Sequence, residues 1–171
     1  MSAADEQFRE FVRSRAAPLH RAAYLLGGDW HLANDLVQEA LAKTFRHWRR
    51  VQLADSPDAY VRRILVNEVN RYFQRHHHVT SPIDLANGGR DPANSTLSDA
   101  SDDIARRELL LTALLALPDR QRATVVLRYL EGMTEAETAR VLGCSEGTVK
   151  SQTYRALHAL NHLISPRELS L

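Results

Sequence analysis

Cysteine is nearly absent from this chain of 171 residues, and long apolar runs are missing altogether. Its one cysteine, Cys144, excludes an internal disulfide and any zinc site that needs several cysteines. The longest apolar runs, such as residues 113–117, reach about five residues, far fewer than the roughly 20 that cross a bilayer. The N-terminus also lacks the basic and apolar segments of a signal peptide. With 44% apolar and 25% charged residues, the composition predicts a folded globular protein, and we expect it in the cytoplasm.

An excess of charge of one sign is lacking too, since 22 basic and 21 acidic residues leave a net charge of +1. That balance at first disfavours nucleic acid as a partner, but it is uneven along the chain. Residues 1–78 carry +3, residues 79–103 carry −4 and residues 104–171 carry +2. Twenty of the basic residues are arginines, which suit phosphates, base edges and carboxylates, although a GC-rich coding sequence gives the same bias. The near-neutral total therefore masks two mildly basic blocks.

The acidic middle segment, residues 79–103, is rich in Ser, Asp, Asn, Gly and Pro and has no helical period. Such a composition is typical of a flexible linker. It predicts two domains, residues 1–78 and 104–171, on either side of an acidic linker.

The N-terminal block has the pattern of several helices. Gly27 and Gly28 end a first helix, and Asp29 can cap the next one, whose apolar stripe runs from Leu32 through Phe45 to Trp48. Ser56, followed by proline, then predicts the start of a helix that covers about residues 58–75.

That last helix combines arginines, asparagines and aromatic residues. Arginines bind phosphates, asparagines read base edges and aromatic rings stack on bases, so the composition favours a nucleic-acid surface. A solvated, arginine-rich helix whose aromatic residues belong to the core is the alternative. Three histidines follow at 76–78, but adjacent side chains on a helix point in different directions, so they predict a solvated helix end and no metal site.

The C-terminal block contains the most specific pattern. A leucine-rich helix covers residues 106–117, and Asp119 can cap a second helix that stops near Gly132. Thr134 and Glu137 then form a capping box. Ala139 and Gly143 follow at the spacing of a helix-turn-helix, in which a small residue allows close crossing and glycine makes the turn.

Ser145 caps the second helix of this pair, on which Val149, Thr153, Ala156, Leu157 and Leu160 are expected to face inward. A second helix of this kind normally lies in the major groove of DNA. The caps, the four-helix context and the basic polar face favour DNA binding over a plain helical hairpin. Cys144, in the turn, is expected to be a small buried residue.

Taken together, the two blocks resemble bacterial RNA polymerase sigma factors of the extracytoplasmic-function type, group 4 of the sigma-70 superfamily. Their region 2.2, which docks on the polymerase clamp, is similar to DLVQEALAKTFRHW (35–48). Their regions 2.3 and 2.4, which open and read the −10 element, are similar to YVRRILVNEVNRYFQR (60–75). Region 4, whose helix-turn-helix reads the −35 element, is similar to residues 117–157. The resemblance implies an all-α fold with a region 2 bundle and a four-helix region 4.

The resemblance also implies three binding surfaces, which we name the core, −10 and −35 faces. The core face would contact polymerase through Asp35, Gln38, Glu39 and Arg46, with Phe45 and Trp48 supporting the helix from inside. The −10 face would comprise Tyr60, Arg62, Arg63, Asn67, Asn70 and Arg71. The −35 face would comprise Thr148, Lys150, Ser151, Gln152, Tyr154 and Arg155. Many members have Trp where Tyr60 stands and Arg where Gln152 stands.

The implied partners are RNA polymerase core and promoter DNA, and an anti-sigma factor is a common partner in the family, although nothing in the sequence identifies one. A stand-alone helix-turn-helix regulator with an N-terminal effector or dimerisation domain is the alternative function. An enzyme is disfavoured because the sequence has no HExxH motif, paired catalytic carboxylates, nucleophile constellation or glycine-rich phosphate loop. No cofactor or metal is expected. A structural helical adaptor would leave the composition of the −10 face unexplained.

Overall fold

The computed structural model describes residues 3–76 and 100–164, and every regular element in those two stretches is helical. This confirms the predicted all-α class. The elements are α1 (Ala3–Gly27), α2 (Trp30–Arg46), α3 (Trp48–Val51), α4 (Pro57–His76), α5 (Ala100–Ala116), α6 (Asp119–Val125), a π-helical segment (Val126–Leu130), α7 (Glu135–Leu142) and α8 (Glu146–Ile164).

Helices α1, α2 and α4 form an N-terminal bundle around fully buried aliphatic side chains, among them Leu19, Val37 and Leu65. The predicted caps are present at two helix starts. The Asp29 carboxylate accepts a hydrogen bond from the Leu32 amide at 2.7 Å, and Ser56 Oγ accepts one from the Ala59 amide at 3.1 Å. These caps satisfy backbone donors that have no partner inside the helix.

The α2 helix ends earlier than its apolar stripe predicts. His47 leaves the helical conformation, and Trp48 begins the separate short helix α3. Trp48 is buried as expected, with its ring 5.2 Å from that of Phe8 and 5.0 Å from that of Phe11. The inward position predicted for Phe45 is wrong, because its side chain is 48% exposed, although its ring lies 4.9 Å from that of Phe8.

The C-terminal bundle is built from α5, α6, α7, α8 and the π-helical segment, with Leu114 and Ala156 fully buried in its centre. Two predicted boundaries are wrong here. Helix α5 begins at Ala100, so residues 100–103 of the expected linker are helical, while residues 77–99 lie outside the described stretches. Asp119 does not cap α6: Pro118 is the cap residue, and the Asp119 carboxylate instead pairs with Arg122 at 2.7 Å.

The helix-turn-helix forms as predicted from α7 and α8. The Thr134 hydroxyl accepts a hydrogen bond from the Glu137 amide at 3.2 Å, and the Glu137 carboxylate accepts one from the Thr134 amide at 2.7 Å. Hydrogen bonding to the Glu137 carboxylate from the backbone amide of Thr134, and next from its side chain, lowers the pKa of Glu137. Gly143 adopts the left-handed conformation, φ +64°, that reverses the chain. Leu157 is the exception to the predicted inward face, since it is 41% exposed.

The two bundles pack directly on one another. Val66 and Val69 of α4 share one buried cluster with residues of the C-terminal bundle, including Ala123, Val126 and Val141. The α1–α2 turn also lies against α5, because a Cβ added to Gly28 would come within 2.7 Å of Leu115. As a result the −10 face on α4 and the helix-turn-helix lie side by side.

Candidate nucleic-acid interface

The core face is a single exposed stripe on α2. Asp35, Gln38, Glu39 and Arg46 are all exposed, and their spacing places them within about one third of the helix circumference. Glu39 lies 3.2 Å from Lys43 Nζ, and the same ammonium lies 2.7 Å from Glu68 on α4. The hydrogen bond to Glu68 is the main cause of a raised pKa at Lys43. This network fixes the orientation of α2 relative to α4 while leaving Asp35 and Gln38 open to a partner.

The −10 face is a stripe along α4. Arg63, Asn67 and Arg71 are exposed, and Tyr60 and Asn70 are half-buried beside them. Because successive residues turn by about 100°, these five positions fall on one side of the helix. The Arg71 guanidinium lies 3.0 Å from the Glu68 carboxylate, which orients it along the helix surface. The arrangement presents two amide side chains between arginines, a pattern suited to base edges flanked by phosphates.

Arg62, which the sequence places among the −10 residues, lies on the opposite side of α4 and is buried. Its guanidinium donates to Asp58 at 2.8 Å and to Glu131 of the C-terminal bundle, with side-chain exposures of 9% for Arg62 and 7% for Glu131. Burial acts to lower the pKa of Arg62, but Asp58 and Glu131 together outweigh it and raise that pKa above its ordinary value. In this arrangement Arg62 is an interdomain contact and does not reach the surface.

The −35 face lies on α8, just after the turn. Lys150, Ser151, Tyr154 and Arg155 are exposed, with Tyr154 at 73%, whereas Thr148 and Gln152 are half-buried. Ser145 Oγ accepts a hydrogen bond from the Thr148 amide at 3.1 Å and so caps α8 as predicted. The N-terminal half of α8 therefore carries hydroxyl, amide, aromatic and cationic groups on the outside of the bundle, as a helix that enters a major groove requires.

Comparison with known proteins agrees with these features. Residues 11–79 match the family model described as Sigma-70 region 2, and residues 107–160 match the one described as Sigma-70, region 4. The RNA polymerase sigma-E factor of Streptomyces coelicolor is 37% identical over 163 residues, which cover 95% of this chain and 89% of that protein. The ECF RNA polymerase sigma factor SigM of Mycobacterium tuberculosis is 31% identical over 92% of this chain and 76% of its own length.

The chain belongs to the sigma-70 family. The fold agrees as well: a Bartonella quintana sigma factor, RpoE, solved in complex with the anti-sigma factor NepR, superposes with a TM-score of 0.71 at 24% identity. The superposition covers 95% of this chain and 99% of that one. As a member of this family, the protein is a promoter-specific initiation factor that acts with RNA polymerase, and the stand-alone regulator is not favoured.

The core and −10 faces of this sigma factor lie inside its region 2 match, and the −35 face lies inside its region 4 match. Within the described stretches, no helix is long and apolar enough to span a membrane. Sigma factors as a family are not catalysts.

Sequence reasoning missed the residues that join the two bundles. Glu131 binds Arg62, and the Arg122 guanidinium lies over the ring of Phe73 at 5.1 Å. Arg122 is 4% exposed and hydrogen-bonds the Leu115 carbonyl at 3.1 Å, and burial lowers its pKa despite the neighbouring Asp119. No local spacing or motif marks these positions, because each depends on a partner from the other bundle.

Proposed function

We propose that this sigma factor binds RNA polymerase core through the core face, reads and opens the −10 element with the −10 face, and reads the −35 element with the −35 face. One observation carries the proposal: a single chain exposes an acidic-polar stripe on α2, an Arg-Asn stripe on α4 and a polar-cationic stripe on the second helix of a helix-turn-helix. A stand-alone regulator needs only the last of these.

The −10 face is proposed to hold bases that have left the DNA stack. Unstacking costs a few kcal/mol per step, and stacking on protein rings returns about 1–3 kcal/mol per base. Asn67, exposed between Arg63 and Arg71, offers a donor and an acceptor to one base edge. Tyr60, half-buried at the start of the same stripe, supplies an aromatic ring next to the strand.

The −35 face is proposed to lie in the major groove. Arg155 and Lys150 supply cationic donors, and Thr148 and Ser151 supply hydroxyls close to the capped start of α8. Lys150 is 3.5 Å from Glu135 of α7, which holds its ammonium beside the helix-turn-helix. Many family members have an arginine at the position of Gln152. Because Gln152 offers a neutral amide there, we infer that its contact with a base or phosphate differs from theirs.

The remaining assignments follow from the same proposal. Residues 1–78 form the region 2 domain, the region 4 domain begins with α5 at Ala100, and the acidic segment between them links the two. The protein acts in the cytoplasm and catalyses no reaction itself, since phosphodiester synthesis belongs to polymerase. An anti-sigma factor that covers one or both DNA faces is a further proposed partner, in line with the complex solved for the Bartonella quintana relative.

Run-off transcription with purified core polymerase tests this proposal. A template pool with randomised −35 and −10 elements at fixed spacing is transcribed, and enriched templates are then used singly. We expect the full-length protein to stimulate specific initiation. Asn67→Ala should reduce open-complex formation, measured by permanganate reactivity of unpaired thymines, whereas Asn161→Ala, an exposed asparagine late in α8, should not. No stimulation by the wild-type protein would overturn the proposal, and tight operator binding without core would favour the stand-alone regulator.

A further inference from the structure

A cavity of about 300 Å³ lies at one end of the N-terminal bundle. Its walls are formed by the first residues of α1 and by residues 45–50, where α2 ends and α3 begins. Among the described residues, none from the C-terminal bundle lines it, so it is separate from the −35 face. Cavities that hold small molecules measure about 300–1,000 Å³, so this one is large enough for a small ligand.

Positive groups outnumber negative ones in the lining of this cavity. Arg46, Arg49 and Arg50 line it, against one carboxylate, that of Asp5. Within the two described stretches none of these three arginines forms an ion pair, and all three are exposed. Guanidinium groups bind phosphate through paired N–H donors, and a phosphate held between them also reduces their mutual repulsion. The charges of the cavity therefore favour an anion, above all a phosphate.

A buried polar group indicates a ligand independently of these charges. The indole N–H of Trp48, which also lines the cavity, is buried and has no hydrogen-bond partner in the described part of the chain. A buried tryptophan N–H usually has a partner, because a donor without one has lost its hydrogen bond to water and gained nothing in return. The Trp48 side chain is 6% exposed and is fixed by the rings of Phe8 and Phe11. An acceptor oxygen of a bound ligand would supply the missing partner.

The cavity also has an aromatic wall. Phe45 lines it and is 48% exposed, whereas Phe8 and Phe11 of the same cluster are half-buried. An exposed ring beside arginines suits a nucleotide, since the base stacks on the ring while the guanidinium groups hold the phosphate. An inorganic anion would leave the ring unused, and an apolar molecule would leave the arginines unpaired. The lining therefore favours a ligand with both a phosphate and a flat ring.

We propose that this cavity is a nucleotide site, in which the three arginines bind a phosphate, Phe45 stacks on the base and the Trp48 N–H donates to an oxygen of the ligand. A free nucleotide and a nucleotide within a single DNA strand offer the same groups. The second source rests on the proposed function: residues 52–56 lead directly from α3 to α4, where Tyr60 begins the −10 face, so a strand that leaves this face at that end passes close to the cavity.

The variant Arg49→Gln/Arg50→Gln tests the site, because it removes two charges and keeps polar side chains at exposed positions. Arg46 is retained, since it also belongs to the core face. In a Trp30→Phe background Trp48 is the remaining tryptophan, so its fluorescence reports a ligand in the cavity. Nucleoside 5′-monophosphates and inorganic phosphate are titrated separately. A free nucleotide is expected to change this fluorescence with an affinity about tenfold or more above that of inorganic phosphate, and the double variant should lose about tenfold or more of that affinity.

Fluorescence anisotropy tests the strand as the source of the nucleotide. The probe is a single-stranded −10 oligonucleotide from the enriched templates, with and without flanking nucleotides. We expect the wild-type protein to bind the longer oligonucleotide about fivefold or more tightly than the shorter one, and the double variant to bind both equally. Mononucleotide binding that needs the arginines assigns the site to free nucleotides, and an arginine-dependent gain from flanking nucleotides assigns it to the strand. Absence of both effects would overturn the proposal, and equal affinity for mononucleotide and inorganic phosphate would contradict the base contact.

Arg106→Gln/Arg107→Gln is the matched control, since it makes the same charge change at two adjacent exposed arginines of α5 and should alter neither measurement. Should the Arg49→Gln/Arg50→Gln protein lose helicity, Phe45→Leu, which removes the stacking ring, decides by the same measurements. The mononucleotide titration uses the free full-length protein without polymerase or promoter. Failure of run-off transcription with an intact nucleotide site would therefore count against the proposed function alone.

Discussion

Position on a helix, more than residue type, decides what each arginine of this protein can do. Arg62 and Arg63 are neighbours in sequence, yet one is buried between two carboxylates and the other is exposed on the −10 face. A turn of about 100° per residue separates them. Composition alone grouped both arginines with the −10 residues. The helical angle counted from Asn67 would have placed Arg62 on the side of α4 that faces away from the −10 face.

Reversal of the charge at Asp35 tests the core face. Asp35 is exposed on α2 beside Gln38 and Glu39, so Asp35→Arg places a cation where we propose that polymerase offers basic groups. We expect affinity for core polymerase to fall by about tenfold or more, or about 1.4 kcal/mol, with an unchanged melting temperature. Competition binding to labelled core measures this. Glu10→Arg, the same charge change on an exposed position of α1, should leave the affinity unaltered, and equal loss in both variants would contradict the assignment.

Truncation of Arg155 tests the −35 face. Arg155 is exposed on α8 and would contribute a base or phosphate contact, so Arg155→Ala should weaken −35 recognition by about 1–3 kcal/mol. Footprinting of the holoenzyme over promoters with matched and altered −35 elements provides the readout. Arg106→Ala removes a similarly exposed arginine from α5 and should have no such effect. A parallel loss of core binding in Arg155→Ala would indicate a folding defect and contradict a direct role.

At the scale of elements, the sequence was sufficient to predict the helix starts that are fixed by a capping side chain. Asp29, Ser56, Thr134 and Ser145 all cap the helices expected of them, because a side-chain oxygen needs only the next turn of backbone. Boundaries that depend on packing could not. The helix break at His47 lets Trp48 enter the aromatic cluster around Phe8 and Phe11, a contact about 40 residues distant in sequence.

The turn of the helix-turn-helix provides a paired test on two glycines. Gly143 has φ +64°, so Gly143→Ala should destabilise the protein by about 1–2 kcal/mol through backbone strain, although its Cβ would find ordinary space. Gly147 lies within the first turn of α8, and its Cβ would meet only Ser145 Oγ, at 3.8 Å. Gly147→Ala should therefore be neutral or stabilise by up to about 1 kcal/mol. Urea unfolding measures both, and a stable Gly143→Ala protein would contradict the strain argument.

At the scale of the whole molecule, the sequence indicates two helical blocks but not their contact. Periodicity identifies the apolar side of a helix, yet it does not tell whether that side packs within its own block or against the other. Val66 and Val126 meet across the joint, and Arg62 finds its second carboxylate 69 positions away. An arginine buried between domains and a solvent-exposed arginine look the same in the sequence. Composition therefore could not distinguish Arg62 from the exposed arginines.

The charge distribution leads to the last prediction, which concerns promoter binding by the isolated protein. Net charges of +3 and +2 on residues 1–78 and 104–171 neutralise few phosphates, and the intervening segment carries −4. Promoter elements one and a half helical turns apart are separated by roughly 50–60 Å. A relaxed chain of the 23 residues between α4 and α5 averages only about 24–29 Å and reaches roughly 76–83 Å when fully extended. Simultaneous contact with both elements therefore requires a stretched linker, and polymerase must offset the entropy cost of stretching it.

We expect the dissociation constant of the free protein for a promoter duplex, measured by fluorescence anisotropy, to exceed about 1 µM at physiological salt and to fall steeply when core is added. Submicromolar binding without core would show that neither the linker nor the charge balance limits promoter recognition.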